Sequence, residues 1–268
     1  LENKIAAYNM PQGCISELFR EIAAHRPGLI THVGLNTFVD PDLEGGMLND
    51  KAREMGSYVQ KVNFNGEEKL FYPSIPVDVA LIHASYVDTQ GNCSLEEEGT
   101  LADILPIAQA AYTTGGKVIV TVEKSHYVEY GSLDTRFVQV PGIYIEAIVL
   151  VDSDCAKQTN GSYHNEAFSG EKRIPMSAME PMPMSARKII ARRCAMELKA
   201  GAVVNLGIGM PEGVANIVAE EGIEGMVLTT ESGTIGGVPA SGGDFGVTTN
   251  PDTILHQSFQ FDFYDGGG

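Results

Sequence analysis

Basic residues are scarce in this chain. Its 268 residues include 18 lysines and arginines against 35 aspartates and glutamates, which gives a formal net charge of −17. A nucleic-acid-binding surface needs a basic stripe, so this balance argues against that class of protein. It does not argue against an anionic ligand, because a few local cations or the start of a helix can bind phosphate within an acidic protein.

Long apolar runs and paired cysteines are also missing. No stretch of about 18 or more apolar residues occurs, so the sequence contains no candidate membrane-spanning helix. The four cysteines form no C-x-x-C pair, and the six histidines are scattered. This spacing predicts no metal site, and the dispersed thiols favour a reducing, cytoplasmic location.

The chain begins at Leu1 rather than at a methionine and ends on three glycines. We therefore expect a fragment of a longer protein, in which case the lack of a signal peptide is uninformative. With 43% hydrophobic residues, the chain can bury a substantial core, and we expect more than one domain.

Helical and strand-like patterns alternate along the first half of the chain. Apolar residues within 11–28 recur at helical spacing and predict a helix that opens at Gln12. Segment 77–87 is an apolar, β-branched run, as expected of a strand that is covered on both faces. Segment 117–123 predicts another strand, and 143–151 is a candidate for a buried one. This alternation predicts an α/β protein with a largely parallel sheet.

The composition changes after these strands. Segment 153–184 is polar and then rich in methionine and proline. We interpret it as an excursion followed by a packed linker, and we divide the chain into domains 1–180 and 181–268. The second domain repeats the α/β pattern, with Ser185 as the predicted N-cap of its first helix and a strand that ends at Glu231.

The segment GIGMPEG (207–213) lies between a predicted strand and a predicted helix. It resembles half of a dinucleotide fingerprint, but its third glycine is displaced by one position. No acidic residue after the next strand fits a ribose ligand, unless Glu231 has that role. A tight turn or substrate loop that includes Gly209 is the favoured interpretation, and a nicotinamide site is the alternative.

Other charged and titratable residues have plain structural interpretations. Four cations lie on the first predicted helix of the second domain: Arg187, Lys188, Arg192 and Arg193. They can contact a phosphate, but a solvated helix face is the commoner arrangement. His126 and His256 are candidate acid–base groups without a visible partner, and a structural role is the default for both.

Glu231 has a different setting. It is a lone acid at the end of a predicted strand, and Gly233, Gly236 and Gly237 follow closely. Ligands of open α/β sheets gather outside the carboxyl ends of strands, and glycines leave room for a bulky reactant. A carboxylate in this position can act as a general base or as a nucleophile that forms an acyl intermediate. Composition alone still favours a capping or hydrogen-bonded turn glutamate.

Longer motifs connect these features. They are, in chain order, YNMPQGCISELFREIA, VDTQGN, FVQVPGIYIEAIVLVD, NLGIGMPEGVA, ESGTIGGVPASGG and FQFDFYDGGG. Together they resemble the family I coenzyme A transferases, most of all the acetate and propionate CoA-transferases, over nearly the whole chain. Glu231, Gly233 and Gly236 fill the family's E-x-G-x-x-G pattern. Ser232 stands where the mitochondrial 3-oxoacid branch has asparagine, which points away from a strict succinyl-CoA:acetoacetate enzyme.

The resemblance implies a fold of two open α/β/α domains with largely parallel sheets. This chain would hold most of the first domain and the start of the second, with a glycine-rich loop before Leu1 and further CoA contacts after Gly268. Relatives commonly assemble as homo-oligomers, so we expect a homo-oligomer. From the acidic charge balance and the lack of long apolar runs, we expect no nucleic-acid or membrane partner.

The resemblance also implies a reaction. The family moves CoA from a short-chain acyl-CoA to a free carboxylic acid of the acetate, propionate, butyrate or acetoacetate type, by a ping-pong route without metal or organic cofactor. CoA is a substrate, carried covalently on Glu231. Gln12 matches the family's oxyanion-stabilising glutamine. Gly233, Gly236 and Gly237 would line a slot for the pantetheine arm, with Gly209 in a neighbouring turn.

Three alternatives to this function stay open. Water would intercept the intermediate in an acyl-CoA hydrolase on the same scaffold. A non-catalytic relative would bind CoA or a nucleotide without exchange, and a nicotinamide dehydrogenase is a more distant alternative. The preferred acid is not readable from the sequence, because one methylene changes binding by only about 1–3 kcal/mol.

Overall fold

The structure is a computed structural model that describes residues 3–174, 180–207, 209–230, 234–240, 242–244, 246–249 and 254–255. The described residues form two compact units. The first comprises those within Leu1–Ala80 and Leu105–Val118, and the second those within Leu81–Ile104 and Ile119–Gln260. The two units are groups of residues that contact each other more than they contact the rest of the chain. The predicted domain boundary at residue 180 stays a prediction.

Helices and short strands alternate along the chain. The helices are α1 (Gln12–Ala23), α2 (Asp50–Met55), α3 (Ile104–Thr113), α4 (Glu166–Ser169), α5 (Ala186–Ala195) and α6 (Glu212–Glu221). The first nine strands are β1 (Gly28–Thr31), β2 (Gln60–Phe64), β3 (Glu67–Pro73), β4 (Val79–His83), β5 (Tyr86–Asp88), β6 (Cys93–Ser94), β7 (Lys117–Glu123), β8 (Tyr127–Val128) and β9 (Val138–Val140). The later ones are β10 (Ala147–Val151), β11 (Val203–Asn205), β12 (Val227–Thr229), β13 (Thr234–Ile235), β14 (Val238–Pro239), β15 (Thr248–Thr249) and β16 (Ile254–Leu255).

In the first unit, α1 packs by its apolar stripe against an antiparallel sheet of order β1-β3-β2. The buried cluster between them includes Cys14, Leu18, Ile22, Leu70 and Tyr72. The predicted start of the helix at Gln12 is confirmed. The helix ends earlier than its sequence pattern, because His25 has a φ of 55° and leaves the right-handed helical region. Because this apolar stripe is buried against the sheet, the position of Gln12, the first residue of α1, is fixed as well.

The second unit contains the parallel strand pairs. β10 and β7 pair in parallel within a sheet of order β10-β7-β4, and β5 and β8 pair in parallel within the sheet β8-β5-β6-β9. The remaining pairs of the second of these sheets are antiparallel. The turn DTQGN is confirmed, because Asp88 accepts the backbone N–H groups of Gln90 and Asn92, each at 2.9 Å.

Helices α5 and α6 cover the sheet of order β11-β12-β13-β16. Ser185 caps α5 as predicted, since its hydroxyl accepts the Lys188 N–H at 3.3 Å. The interpretation of the α5 cations as a solvated face is wrong for Lys188. This residue is only 6% exposed, and its ammonium lies 2.6 Å from a carboxylate oxygen of Glu220 on α6.

Among the residues that the structure describes, the helices are all too short or too polar to cross a membrane.

Candidate active site

Two neighbouring parallel strands end at one edge of a sheet, and a predicted site segment follows each of them in the sequence. β11 pairs with β12 so that Asn205 lies opposite Thr229, and the hydrogen bond from Leu206 N–H to Thr229 O (3.1 Å) extends the ladder by one residue. The carboxyl ends of both strands therefore lie side by side. The chain leaves β11 into the loop of Gly209 and leaves β12 towards Glu231. This edge is where open α/β sheets bind ligands.

The predicted nucleophile Glu231 and the predicted slot residue Gly233 fall in segment 231–233, which lies outside the described residues. The residues on either side of it form a closed hairpin base. Thr230 N–H donates to Thr234 O at 3.2 Å, and the hydroxyls of these two threonines are 2.7 Å apart. Both side chains are buried. The two ends from which the segment departs are therefore fixed to each other at a buried sheet edge.

Gly236 and Gly237 form the turn between β13 and β14. Their φ angles are 81° and 74°, a region that other residues rarely adopt, so the backbone conformation by itself accounts for both glycines. Gly236 N–H donates to Leu228 O at 2.8 Å, which places the turn beside β12. The role of these glycines in lining a CoA slot stays a prediction.

Gly209 lies in the turn between β11 and α6, with a φ of 92° and open space on the side where a Cβ atom would stand. Its carbonyl oxygen accepts a hydrogen bond from Arg187, which also pairs with Glu212. Glu212 is only 3% exposed and belongs to the first turn of α6. A dinucleotide's pyrophosphate would need that helix start, so the buried carboxylate there argues against the nicotinamide alternative.

Gln12 begins α1 in the first unit, and its side chain is exposed. Pro11 occupies the N-cap position and provides no side-chain hydrogen bond to the helix. The start of a helix carries unpaired backbone N–H groups and partial positive charge. A neutral amide donor beside them is the kind of group that stabilises an oxyanion. The structure thus shows a suitable donor at Gln12, and its role stays a prediction.

A polar pocket that the sequence analysis missed lies at the ends of β4 and β7. It has a volume of about 50 Å³ and is lined by His83, Ala84, Ser85, Glu97, Glu98, Glu123, His126, Ala156, Gln158, Tyr163 and His164. His126 Nδ1 lies 3.0 Å from Ser85 O, and its ring stacks on Tyr86 with 4.2 Å between centroids. These contacts agree with the structural interpretation of His126. His256 lies outside the described residues.

Glu98 is the most perturbed carboxyl group of this pocket. The Ser85 hydroxyl donates to Glu98 Oε1 at 3.0 Å and accepts the Glu97 N–H at the same distance. Burial raises the pKa of Glu98 to about 7, and the neighbouring charge of Glu97 adds to the rise. Such a group exchanges its proton near neutral pH, so the pocket changes its charge there.

We expect Glu98→Gln to remove a pH dependence of stability. A carboxyl whose folded pKa exceeds its unfolded pKa binds its proton more tightly when folded, so its contribution is most favourable below the unfolded pKa of 4.5 and is lost as the pH rises through about 7. The difference amounts to about 3 kcal/mol at pH 8. Urea unfolding at about pH 5 and pH 8 measures it, with the exposed Glu129→Gln as control. The prediction fails if the variant and the wild type lose equal stability between the two pH values.

Comparison with known proteins gives consistent matches. The family model described as Coenzyme A transferase matches residues 1–150. The chain is 46% identical to the caffeate CoA-transferase of Acetobacterium woodii over 99% of the chain and 50% of that protein. It is 40% identical to the acetate CoA-transferase YdiF of Escherichia coli strain K12 over 100% of the chain and 50% of that protein. The chain thus spans about half the length of these relatives.

Solved structures agree. The apoenzyme of the acyl-CoA transferase YdiF from Escherichia coli O157:H7 superimposes with a TM-score of 0.85 at 36% identity, over 98% of this chain and 48% of that one. A YdiF thioester complex with CoA superimposes with a TM-score of 0.84 at 36% identity, over 98% of this chain and 50% of that one.

Proposed function

Because the chain belongs to the coenzyme A transferase family, we propose that the complete protein transfers CoA from a short-chain acyl-CoA to a free carboxylic acid. The observation that supports the proposal is that the carboxyl ends of β11 and β12 lie side by side, and that buried Thr230, which precedes Glu231 in the sequence, directly follows β12. The similarity to acetate and caffeate CoA-transferases supports the same reaction type. Acetate, propionate, butyrate and acetoacetate are the acceptors to compare.

The proposed reaction proceeds in two half-reactions. The Glu231 carboxylate attacks the thioester carbonyl of the acyl-CoA, the C–S bond breaks, and an acyl-glutamyl anhydride and CoA thiolate result. The thiolate then attacks the glutamyl carbonyl, which gives a glutamyl-CoA thioester and releases the first acid. The acceptor carboxylate reverses these steps and leaves as its own CoA thioester. Each bond that forms has a free energy of acyl transfer similar to that of the bond it replaces, so the reaction requires no ATP.

The remaining site residues assist these steps. Every attack passes through a tetrahedral oxyanion, which the Gln12 amide and the N–H groups at the start of α1 would stabilise. Gly233, Gly236 and Gly237 would admit the thin pantetheine arm, with Gly209 in the adjoining turn. Contacts to the distant nucleotide of CoA would help to drive the thioester into place. CoA is then the substrate, and the scheme requires neither metal nor organic cofactor.

A covalent adduct tests this proposal. When the complete protein is incubated with acetyl-CoA, we expect a CoA-sized mass increase on the peptide that contains Glu231, and borohydride or hydroxylamine should remove it. An adduct on another residue, or none on folded protein, would contradict the proposal. Release of acetate at the same rate with and without an acceptor acid would instead identify the hydrolase alternative.

We also propose that the complete protein is a homo-oligomer located in the cytoplasm. Its acyl-CoA and carboxylate substrates would be its small-molecule partners. Light scattering of the complete protein measures the oligomeric state, independently of the reaction.

A further inference from the structure

A hairpin follows the Glu231 segment. Its strands β14 and β15 pair antiparallel, and Ala240 N–H donates to Val247 O at 2.9 Å near its tip. The first strand of the hairpin begins directly after the turn of Gly236 and Gly237. The placement of the hairpin therefore determines the placement of that turn.

The tip of this hairpin is hydrogen-bonded to the polar excursion that precedes the linker. Thr159 Oγ1 lies 2.5 Å from Asp244 Oδ1, although the two residues are 85 positions apart. Thr159 Oγ1 also accepts the backbone N–H groups of Gly161 at 3.1 Å and Ser162 at 2.8 Å. A hydroxyl has two acceptor sites and a single proton. Since the backbone N–H groups take up the acceptor sites, the Thr159 proton is donated to Asp244.

Two glycines, Gly161 in the excursion and Gly243 in the hairpin, allow the two backbone segments to approach each other beside this hydrogen bond. A Cβ atom on Gly161 would lie 2.6 Å from Asp244 Oδ1 and 3.1 Å from the carbonyl carbon of Gly243, and a Cβ atom on Gly243 would lie 3.0 Å from the Cα atom of Gly161. The first of these distances would displace the Asp244 carboxylate, and the two to backbone atoms would require the backbones to separate by a few tenths of an ångström. Neither glycine has a φ in the left-handed region. Close approach, rather than conformation, therefore favours glycine on both sides of the contact.

A second contact anchors the hairpin further along its length. Val247 is only 2% exposed, and its Cγ1 atom fills the position that a Cβ atom on Gly99 would take. Phe168 of α4, which is 6% exposed, lies beside the same glycine. The hairpin thus packs on α4 of the excursion through an apolar contact, in addition to the hydrogen bond at Asp244.

We propose that Thr159 and Asp244 are positioning residues for the transfer reaction. Their hydrogen bond, together with the approach of Gly161 to Gly243, holds the hairpin and so fixes the turn along which the pantetheine arm would pass. The inference rests on the proposed function and assigns a purpose to an excursion whose composition suggested none. Neither side chain needs to touch the reacting atoms.

Replacement of Thr159 tests the proposal in the complete protein. Thr159→Val keeps the shape and removes the hydroxyl that donates to Asp244 and accepts the Gly161 and Ser162 N–H groups. We expect kcat/KM for acyl-CoA to fall about tenfold, as for the loss of a hydrogen bond to a charged group. The kcat/KM for the acceptor acid should stay within about twofold, because it reports only the second half-reaction, in which CoA is already held covalently. Thr159→Ser retains the hydroxyl and should retain wild-type kinetics. Amide exchange of segment 238–249 should accelerate in the valine variant and not in the serine variant.

Gly161→Ala provides a second variant, which keeps the Thr159 hydroxyl but adds a Cβ atom 2.6 Å from the position of Asp244 Oδ1 and so displaces the acceptor carboxylate. It should reproduce the kinetic split of Thr159→Val. Wild-type acyl-CoA kinetics in both variants would overturn the inference alone. An equal loss for both substrates, with a matching fall in melting temperature, would also overturn it, because that result indicates a merely structural contact. Absence of any transfer by the wild type would instead overturn the proposed function first.

Discussion

Glu231→Gln is expected to abolish CoA transfer and to leave the fold intact. The amide has the size of the carboxylate but is not a nucleophile, so neither the anhydride nor the glutamyl thioester can form. Loss of a nucleophile that acts as a unit with other catalytic groups costs at least about 10⁴-fold in turnover. The fold should survive because the hairpin base on either side of the segment is held by Thr230 and Thr234, which the substitution does not alter.

Exchange of isotope label between acetate and acetyl-CoA measures this effect, since a ping-pong enzyme catalyses the exchange in the absence of a second acid. Glu224→Gln is a matched control, because Glu224 is exposed and lies in the same part of the chain. The control should exchange label at the wild-type rate, and both variants should melt at the wild-type temperature. Full exchange by Glu231→Gln would remove the residue from the mechanism.

The family resemblance and the α/β class were predictable from the sequence, and both are confirmed. Both depend on patterns within short segments of the sequence, which can be read without knowledge of tertiary contacts. The spacing of apolar residues after Gln12 needed no partner to predict α1, and the hydroxyl of Ser185 caps α5 from within the same turn. Strand β7 likewise coincides with its predicted range of 117–123.

The long strand predicted for 77–87 shows where such signals fail. It is two strands, β4 and β5, which belong to different sheets. The N–H of Ala84 still donates to Thr121 on β7, whereas the N–H of Ser85 donates to Ser94 on β6. The chain changes sheets between these two residues. Apolar character continues through the change, and so the sequence pattern contains no break. The expected cover on both faces is wrong for β4, where Val79 is 51% and Leu81 is 74% exposed.

Tertiary partners explain the other differences. A solvated face is predicted for Lys188 because it belongs to a cluster of cations, and its half-buried partner Glu220 lies 32 positions away. Glu98 stands in a run of three acids that suggests exposure, yet the polar pocket encloses it. The contact of Thr159 with Asp244 has no signature in either local segment. Each of these arrangements depends on which elements meet, and periodicity within one segment does not specify that.

Gln12→Ala is expected to reduce kcat for CoA transfer by about 10²–10³-fold, the usual cost of removing one oxyanion donor. The KM for acyl-CoA should change little, because the amide is proposed to act on charge that develops only in the transition state. Stability should be unaffected, since the Gln12 side chain is exposed and the buried stripe of α1 begins beyond it.

Gln12→Glu separates hydrogen-bond donation from side-chain size. A carboxylate of the same length cannot donate at neutral pH and would repel the developing oxyanion, so this variant should be slower than Gln12→Ala. Gln60→Ala, at an exposed position on β2, is the matched control and should keep wild-type kcat. The rate at which the Glu231–CoA adduct forms, followed by mass spectrometry after rapid mixing, should fall in parallel with kcat. An unchanged rate in Gln12→Ala would mean that another donor holds the oxyanion and that the Gln12 side chain has no part in the chemistry.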